Sequence, residues 1–295
     1  MTTRTSDLLA TAMAPVIWGS TYSVTTEFLP EFSPMTVALL RALPAGLLLL
    51  LIVRQLPRGI WWARILLLGA LNFSIFWSLL FVAAYRLPGG VAATVGAVQP
   101  LAVVFIAAAL LGNKVRLMSV AAAIVGLGGV ALLVLSPEAA LDAIGVAAGL
   151  GGAVSMALGT VLTRKWQPPV SLLTFTAWQL TAGGILLVPV ALLFEPAMPV
   201  PSTANLFGLA WLGLVGAALT YVLWFRGVAR IEPAAVSLLG FFSPATAVLL
   251  GWLFLGQSLA PLQVIGVLLV AGSIWIGRRA GAGRSAGRTS DLANA

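Results

Sequence analysis

The chain has no cysteine and no histidine in its 295 residues. The first absence excludes disulfides, thiol chemistry and thiolate metal sites. The second removes the commonest metal ligand and the usual proton shuttle near neutral pH. Charge is scarce too: 8% of residues are Asp, Glu, Lys or Arg, where a soluble protein carries about a quarter. With 60% of its residues hydrophobic, such a chain cannot cover its own surface in water. No Asp or Glu lies near the centre of any apolar run, and no metal or other cofactor is implied.

What the chain does have is ten apolar stretches, at roughly 8–28, 34–53, 64–85, 91–112, 116–135, 143–163, 171–194, 206–226, 234–255 and 261–277. Each approaches the roughly 20 residues that a helix needs to cross a bilayer. Breakers separate them: Leu29-Pro30, Leu56-Pro57, Pro88-Gly89-Gly90, Ser136-Pro137, Pro168-Pro169, Glu232-Pro233 and Pro261. The expected fold is an all-α integral membrane protein of ten transmembrane helices. The first run is too long for a signal-peptide core, so helix 1 is read as retained. Residues 278–295 are rich in Gly, Ser and Arg, have no apolar face and are read as a disordered tail.

The net charge of +8 does not point to nucleic acid, because the basic residues sit singly or in pairs at helix ends. With the N-terminus inside, every Lys and Arg falls on the inner side except Arg86, in an outer loop, and Arg41, within helix 2. That asymmetry places both termini in the cytoplasm of a multi-pass protein. The halves 8–135 and 143–277 also resemble each other. At an offset of 144, Phe81 matches Phe225, Pro100 matches Pro244 and Gly128 matches Gly272. Leu111-Gly112-Asn113-Lys114 before helix 5 matches Leu255-Gly256-Gln257-Ser258 before helix 10, and Ser33 before helix 2 matches Ser171 before helix 7. Five helices per half is an odd number, so the second repeat must be inverted. Inverted repeats give two exchangeable packings around a midplane site, the basis of alternating access.

Trp18-Gly19-Ser20, Leu40-Arg41, Gln99-Pro100 and the Leu-Gly-polar-polar turn before helices 5 and 10, set in two five-helix repeats, resemble the EamA-type drug/metabolite transporter superfamily. The resemblance covers roughly residues 8–277. It is greatest to bacterial exporters of aromatic and other neutral amino acids, which implies an inner-membrane exporter with such a substrate. The second repeat departs from the pattern, with Ser243-Pro244 where acidic-Pro is common and Gln257-Ser258 where Glu-Arg is common. Coupling through acids at those positions is therefore in question.

Helix 3 carries the sharpest local signal. Phe73, Trp77, Phe81 and Tyr85 recur every four residues on one face, with Asn72 and Ser78 beside them. Tyr221, Trp224 and Phe225 repeat the theme in helix 8, and Trp18 and Tyr22 lie one turn apart in helix 1. Aromatic walls with a few polar groups suit an amphipathic substrate; the bland reading is lipid-facing or interfacial rings, as for Trp61, Trp62, Trp166, Trp211 and Trp275. Arg41 is the one charge well inside a helix, where it meets a substrate carboxylate, snorkels toward Glu27 or Glu31, or caps carbonyls near a broken helix. Gln99 and Ser243 directly precede the paired Pro100 and Pro244, which are hinges or static kinks. Gly145, Gly149, Ala153 and Ala157 form a small-residue packing stripe on helix 6.

The expected substrate set is Trp18, Tyr22, Arg41, Asn72, Trp77, Ser78, Phe81, Gln99, Tyr221, Trp224, Phe225 and Ser243, with Pro100 and Pro244 as hinges. The absence of a buried carboxylate or histidine favours a facilitator. A loop-end acid such as Glu27, or a sodium ion held by carbonyls, is the coupled alternative. An intramembrane enzyme would need a nucleophile motif or a carboxylate pair, and neither is present. A channel would not need an inverted repeat. Nothing demands more than a monomer in a lipid bilayer.

Overall fold

The structure is a computed structural model that describes residues 3–87, 89–134, 142–254 and 260–293. Among these residues every element is helical. α1 is Thr3–Phe28 and α2 is Pro34–Val53. α3 joins Trp61–Gly69, a π-helical turn at Ala70–Ser74 and Ile75–Arg86. α4 comes in two pieces, Gly89–Gly96 and Gln99–Leu111. α5 is Leu117–Val134, α6 is Ala143–Lys165 and α7 is Leu172–Phe194. α8 is built like α3, with Thr203–Ala210, a π-helical stretch at Trp211–Leu219 and Thr220–Arg230. α9 is built like α4, in pieces Pro233–Leu239 and Phe242–Phe254, and α10 is Pro261–Ala293.

Seven helical stretches are long and apolar enough to cross a membrane: 34–53, 61–83, 92–111, 143–165, 172–194, 203–230 and 233–254. Residues 117–133 and 261–277 are apolar but shorter. α1 is long enough but carries Trp18, Ser20, Thr21, Ser23 and Thr25 along its second half, which lowers its apolarity. Two expectations change. α4 and α9 are not continuous: their helices break at residues 97–98 and 240–241. The reason is local, since Pro100 has no N–H to give the carbonyl four residues earlier and sits comfortably only in a first helical turn. α10 stays helical to Ala293, past the start of the expected tail. The Leu255-Gly256-Gln257-Ser258 turn lies outside the described residues.

The helices pair in a regular pattern. α2 runs along α7 and α5 along α10; α1 packs on α8 and α9, while α6 packs on α3 and α4. Glycines set the closest seams. A Cβ on Gly46 would lie 2.5 Å from the Thr181 backbone nitrogen, and one on Gly184 would lie 2.7 Å from Leu43 Cα. Across α5 and α10, Gly129 and Gly266 face each other's carbonyls in the same way, at 2.9 and 2.7 Å. Backbones that approach this closely gain dispersion contact in a medium that supplies no hydrophobic drive. Three members of the α6 stripe are packing surface: Gly145 abuts Leu87, Gly149 abuts Val95, and Ala157 is buried beside α4, while the fourth, Ala153, borders a cavity between the helices.

The helix caps follow from the sequence with one surprise. Asp142 caps α6 by accepting from Gly145 N at 2.7 Å, and Ser171 caps α7 by accepting from Thr174 N at 3.1 Å. Ser33 makes no such bond. The start of α2 is instead held by Glu195, at the end of α7, which accepts from Met35 N, Thr36 N and Thr36 Oγ1 at 2.5, 2.6 and 2.7 Å. This carboxylate satisfies orphan N–H groups at the positive end of α2 and clasps it to α7. We expect Gly46→Ala to lower the stability of the purified protein by about 1–3 kcal/mol. Gly128→Ala, with nothing within 4 Å of its new methyl group, should leave it unchanged; thermal unfolding in detergent compares the two.

Candidate functional site

A cavity of about 400 Å³ lies between α1, α2, the C-terminal half of α3, both pieces of α4 and α9, α6 and the end of α8. Its rim includes exposed Thr26 and the α1–α2 connection at Phe32, far along α1 from the N-terminus. Its floor is aromatic. Trp18 lies 5.1 Å from Tyr221 and 5.2 Å from Trp224, centroid to centroid, and Trp77 stands beside them. The rings continue below into the core: Phe73 sits 5.4 Å from Trp77 and 4.6 Å from Tyr221, and Phe225 sits 5.7 Å from Tyr221.

Irregular backbone meets this floor. In the π-helical stretch of α8 the Gly216 carbonyl accepts from Trp18 Nε1 at 3.2 Å, Thr220 Oγ1 at 2.8 Å and Arg41 Nη2 at 2.9 Å. The Arg41 guanidinium also stacks over Trp77, 5.0 Å from the ring centre. Of the roles open to Arg41, the structure contains the carbonyl-capping one, and it leaves the charge in the cavity wall. Carbonyl and π-face together hold a cation at a depth where an unmatched one is costly.

Most of the expected residues meet here. Trp18, Arg41, Trp77, Phe81, Gln99, Tyr221, Trp224 and Ser243 line the cavity, with Pro100 and Pro244 beside the breaks in α4 and α9. Three do not line it. Asn72 is fully buried in a closed polar cluster, donating to Thr163 Oγ1 at 3.1 Å and Gln179 Oε1 at 2.8 Å. Phe225 lies beneath the floor, and the half-buried Ser78 is absent from the wall. The side chains of Tyr22 and Tyr85 lie outside the described residues. Sequence reasoning missed Thr21 and Thr25, which follow Trp18 at helical spacing, and Phe76, Leu80, Met156 and Ser237, of which only Phe76 and Leu80 form a readable stripe.

It also missed Asp7, one residue before the apolar run of α1. Asp7 Oδ1 accepts from Arg226 Nε at 2.8 Å and Arg230 Nη1 at 3.0 Å, tying the start of α1 to the end of α8 at the end away from the rim. Arg164, at the end of α6, donates to the Val228 carbonyl nearby at 3.2 Å. The Arg226 hydrogen bond holds the Asp7 carboxyl below the usual carboxylate range, against the effect of burial and with help from Arg230. A lowered value means the bridge is intact at neutral pH and is lost only as pH falls through that value.

The profile of the EamA-like transporter family matches residues 5–135 and again 143–277. The chain belongs to the EamA-like transporter family. It is a multi-pass membrane transporter and not an enzyme. Protein PecM of Dickeya dadantii is 45% identical over 89% of this chain and 89% of its own. A probable terminal-alkyne amino-acid exporter of Streptantibioticus cattleyicolor is 26% identical over 92% of this chain and 93% of its own. One crystal structure, 21% identical, superposes with a TM-score of 0.80 over 94% of this chain and 99% of that one, so the fold is shared.

The geometry separates Asn72 from Trp77, five residues apart in α3. We expect Asn72→Ala to lower the melting temperature, since it strands the buried Gln179 and Thr163 at a cost of about 1–3 kcal/mol, while substrate KM stays within about twofold. Trp77→Ala should raise substrate KM by about tenfold, because it removes both the floor and the Arg41 stack.

Proposed function

We propose that this protein exports small amphipathic metabolites, with aromatic and other neutral amino acids as the substrate class, by alternating access as a facilitator. The observation that carries the proposal is the aromatic-floored cavity, with a rim at one end and the Asp7–Arg226–Arg230 bridge at the other. Its size falls within the range of about 300–1,000 Å³ typical of small-molecule sites. The printed name of the Streptantibioticus relative supports an amino-acid substrate.

In this reading the chain makes ten spans in two inverted five-helix repeats, with both termini cytoplasmic in a bacterial inner membrane. Several features support it: two family matches in tandem, π-helical turns at corresponding places in α3 and α8, breaks at corresponding places in α4 and α9, and the reciprocal packing of α1 and α6. The basic residues at 54–64, 114–116, 164–165 and 226–230 then face the cytoplasm, as does the Asp7 bridge. The cavity opens outward in this state. Breaking the bridge while the rim closes over Phe32 and Phe81 exposes the same floor to the cytoplasm, and Pro100 and Pro244 mark where the halves of α4 and α9 pivot.

No carboxylate lines the cavity among the described residues, which favours facilitation. The buried Asp7 gives a coupled reading a candidate besides Glu27. Counterflow of labelled phenylalanine or tryptophan in proteoliposomes tests both. Saturable exchange indifferent to a pH gradient supports the facilitator. Acceleration by the gradient that disappears in Asp7→Asn supports coupling, and absence of flux for every neutral amino acid sinks the amino-acid assignment. Asp7→Asn should also raise modification of a cavity-floor cysteine, such as Trp224→Cys, from the cytoplasmic side by several-fold. Each half-exposed ion pair contributes at most on the order of 1 kcal/mol to holding that end shut.

A further inference from the structure

We infer that the substrate group this cavity reads most strongly is a carboxylate on an aromatic body, held more tightly than an ammonium group on the same body. This deepens the amino-acid reading above and rests on the cavity being the substrate site. The polar groups of the floor are sorted by what they still lack. Trp18 Nε1 is already satisfied by Gly216 O and by Thr220 Oγ1 at 2.9 Å, and Ser237 Oγ donates to Ala234 O at 2.9 Å. Two residues of the lining each carry a buried nitrogen with no hydrogen-bond partner: Trp224 Nε1 and Gln99 Nε2. Both are donors. A glutamine amide can turn over and offer its oxygen, but an indole N–H donates only, so the buried Trp224 Nε1 can be satisfied only by an acceptor.

Charge points the same way. The one ionised side chain in the lining is Arg41, and no Asp or Glu lines the cavity among the described residues. A substrate carboxylate meets the positive field of Arg41, and a shift of the floor that lets it reach the indole N–H relieves the cost of leaving that group unpaired. A substrate ammonium brings a charge of the same sign as Arg41 and finds no carboxylate to receive it among the described residues, only ring faces and neutral acceptors. An aromatic amino acid therefore binds through its ring and its carboxylate. An aromatic acid without the amine should bind comparably, and an aromatic amine without the acid should bind more weakly.

Three probes that share one ring separate these possibilities: tryptophan, indole-3-acetate and tryptamine, with neutral indole as the ring alone. They are compared by competition against labelled tryptophan counterflow and by thermal shift of the detergent-purified protein. Indole-3-acetate should match tryptophan within about threefold, and tryptamine should compete at least about tenfold more weakly. Trp224→Phe keeps the ring and removes the N–H. It should weaken both acids by about tenfold and leave the thermal shift by indole unchanged. Tryptamine binding as tightly as tryptophan would overturn the inference. So would a Trp224→Phe variant that binds both acids normally, or one that loses indole and the acids alike. The wild-type series stands on its own if the variant folds poorly. Failure of all four compounds to compete or shift the melting temperature would instead remove the aromatic-substrate reading, and this inference with it.

Discussion

A bilayer offers no water to an unpaired peptide group, so every backbone N–H and C=O at depth must find its partner inside the protein. That constraint explains why the described residues contain only helices, and it makes each exception informative. Besides the mid-helix prolines Pro15, Pro44 and Pro189, four exceptions stand out among the described residues: π-helical turns in α3 and α8, and breaks in α4 and α9. At α8 the displaced Gly216 carbonyl is met by Trp18, Thr220 and Arg41 together. At α3 the Leu71 carbonyl takes the Ser155 hydroxyl at 2.9 Å, and beside it Ser74 reaches the Gly183 carbonyl of α7 at 2.8 Å. The breaks in α4 and α9 both border the cavity. Three of the four exceptions thus serve one space, and the fourth is sealed in a polar cluster behind it.

The packing divides into seams that look permanent and contacts that can part. α2 and α7 meet backbone to backbone at Gly46 and Gly184 and are clasped again by Glu195, and α5 and α10 meet the same way at Gly129 and Gly266. Glycine seams of this kind tolerate no sliding of a side chain between them. The Asp7 bridge and the Arg164 contact at the end of α8 are different, since they join side chains at helix ends that water can reach. A transporter that keeps the first kind of contact and exchanges the second can move its halves without exposing backbone to lipid.

Much of this was legible in the sequence, for identifiable reasons. Apolar runs set the helices because length and hydropathy act locally. The four-residue spacing of Trp77 and Phe81, and the correspondence of Trp77 with Tyr221 and of Pro100 with Pro244, found much of the cavity because spacing and repeat place side chains without knowledge of their partners. Asn72 was misplaced because a buried amide looks the same whether it serves a substrate or a cluster, and its partners Thr163 and Gln179 lie about a hundred residues away in the chain. Asp7 was overlooked because nothing in a polar N-terminal segment says that two arginines more than two hundred residues later will meet it. The π-helical turns left no sequence signal, since their cause is the match between distant helices and not local propensity.

The central claim is that one cavity is served by two ends that open in turn. The absence of native cysteine allows paired spin labels without background. Labels at Glu31 and Ala143 report the rim, and labels at Leu9 and Lys165 report the end closed by Asp7. Distances in nanodiscs, measured with and without saturating tryptophan, test the claim directly. The account predicts two distance populations at each end that shift reciprocally, the rim pair shortening as the other pair lengthens. A single unchanged distance at both ends, in a preparation that transports, would contradict it.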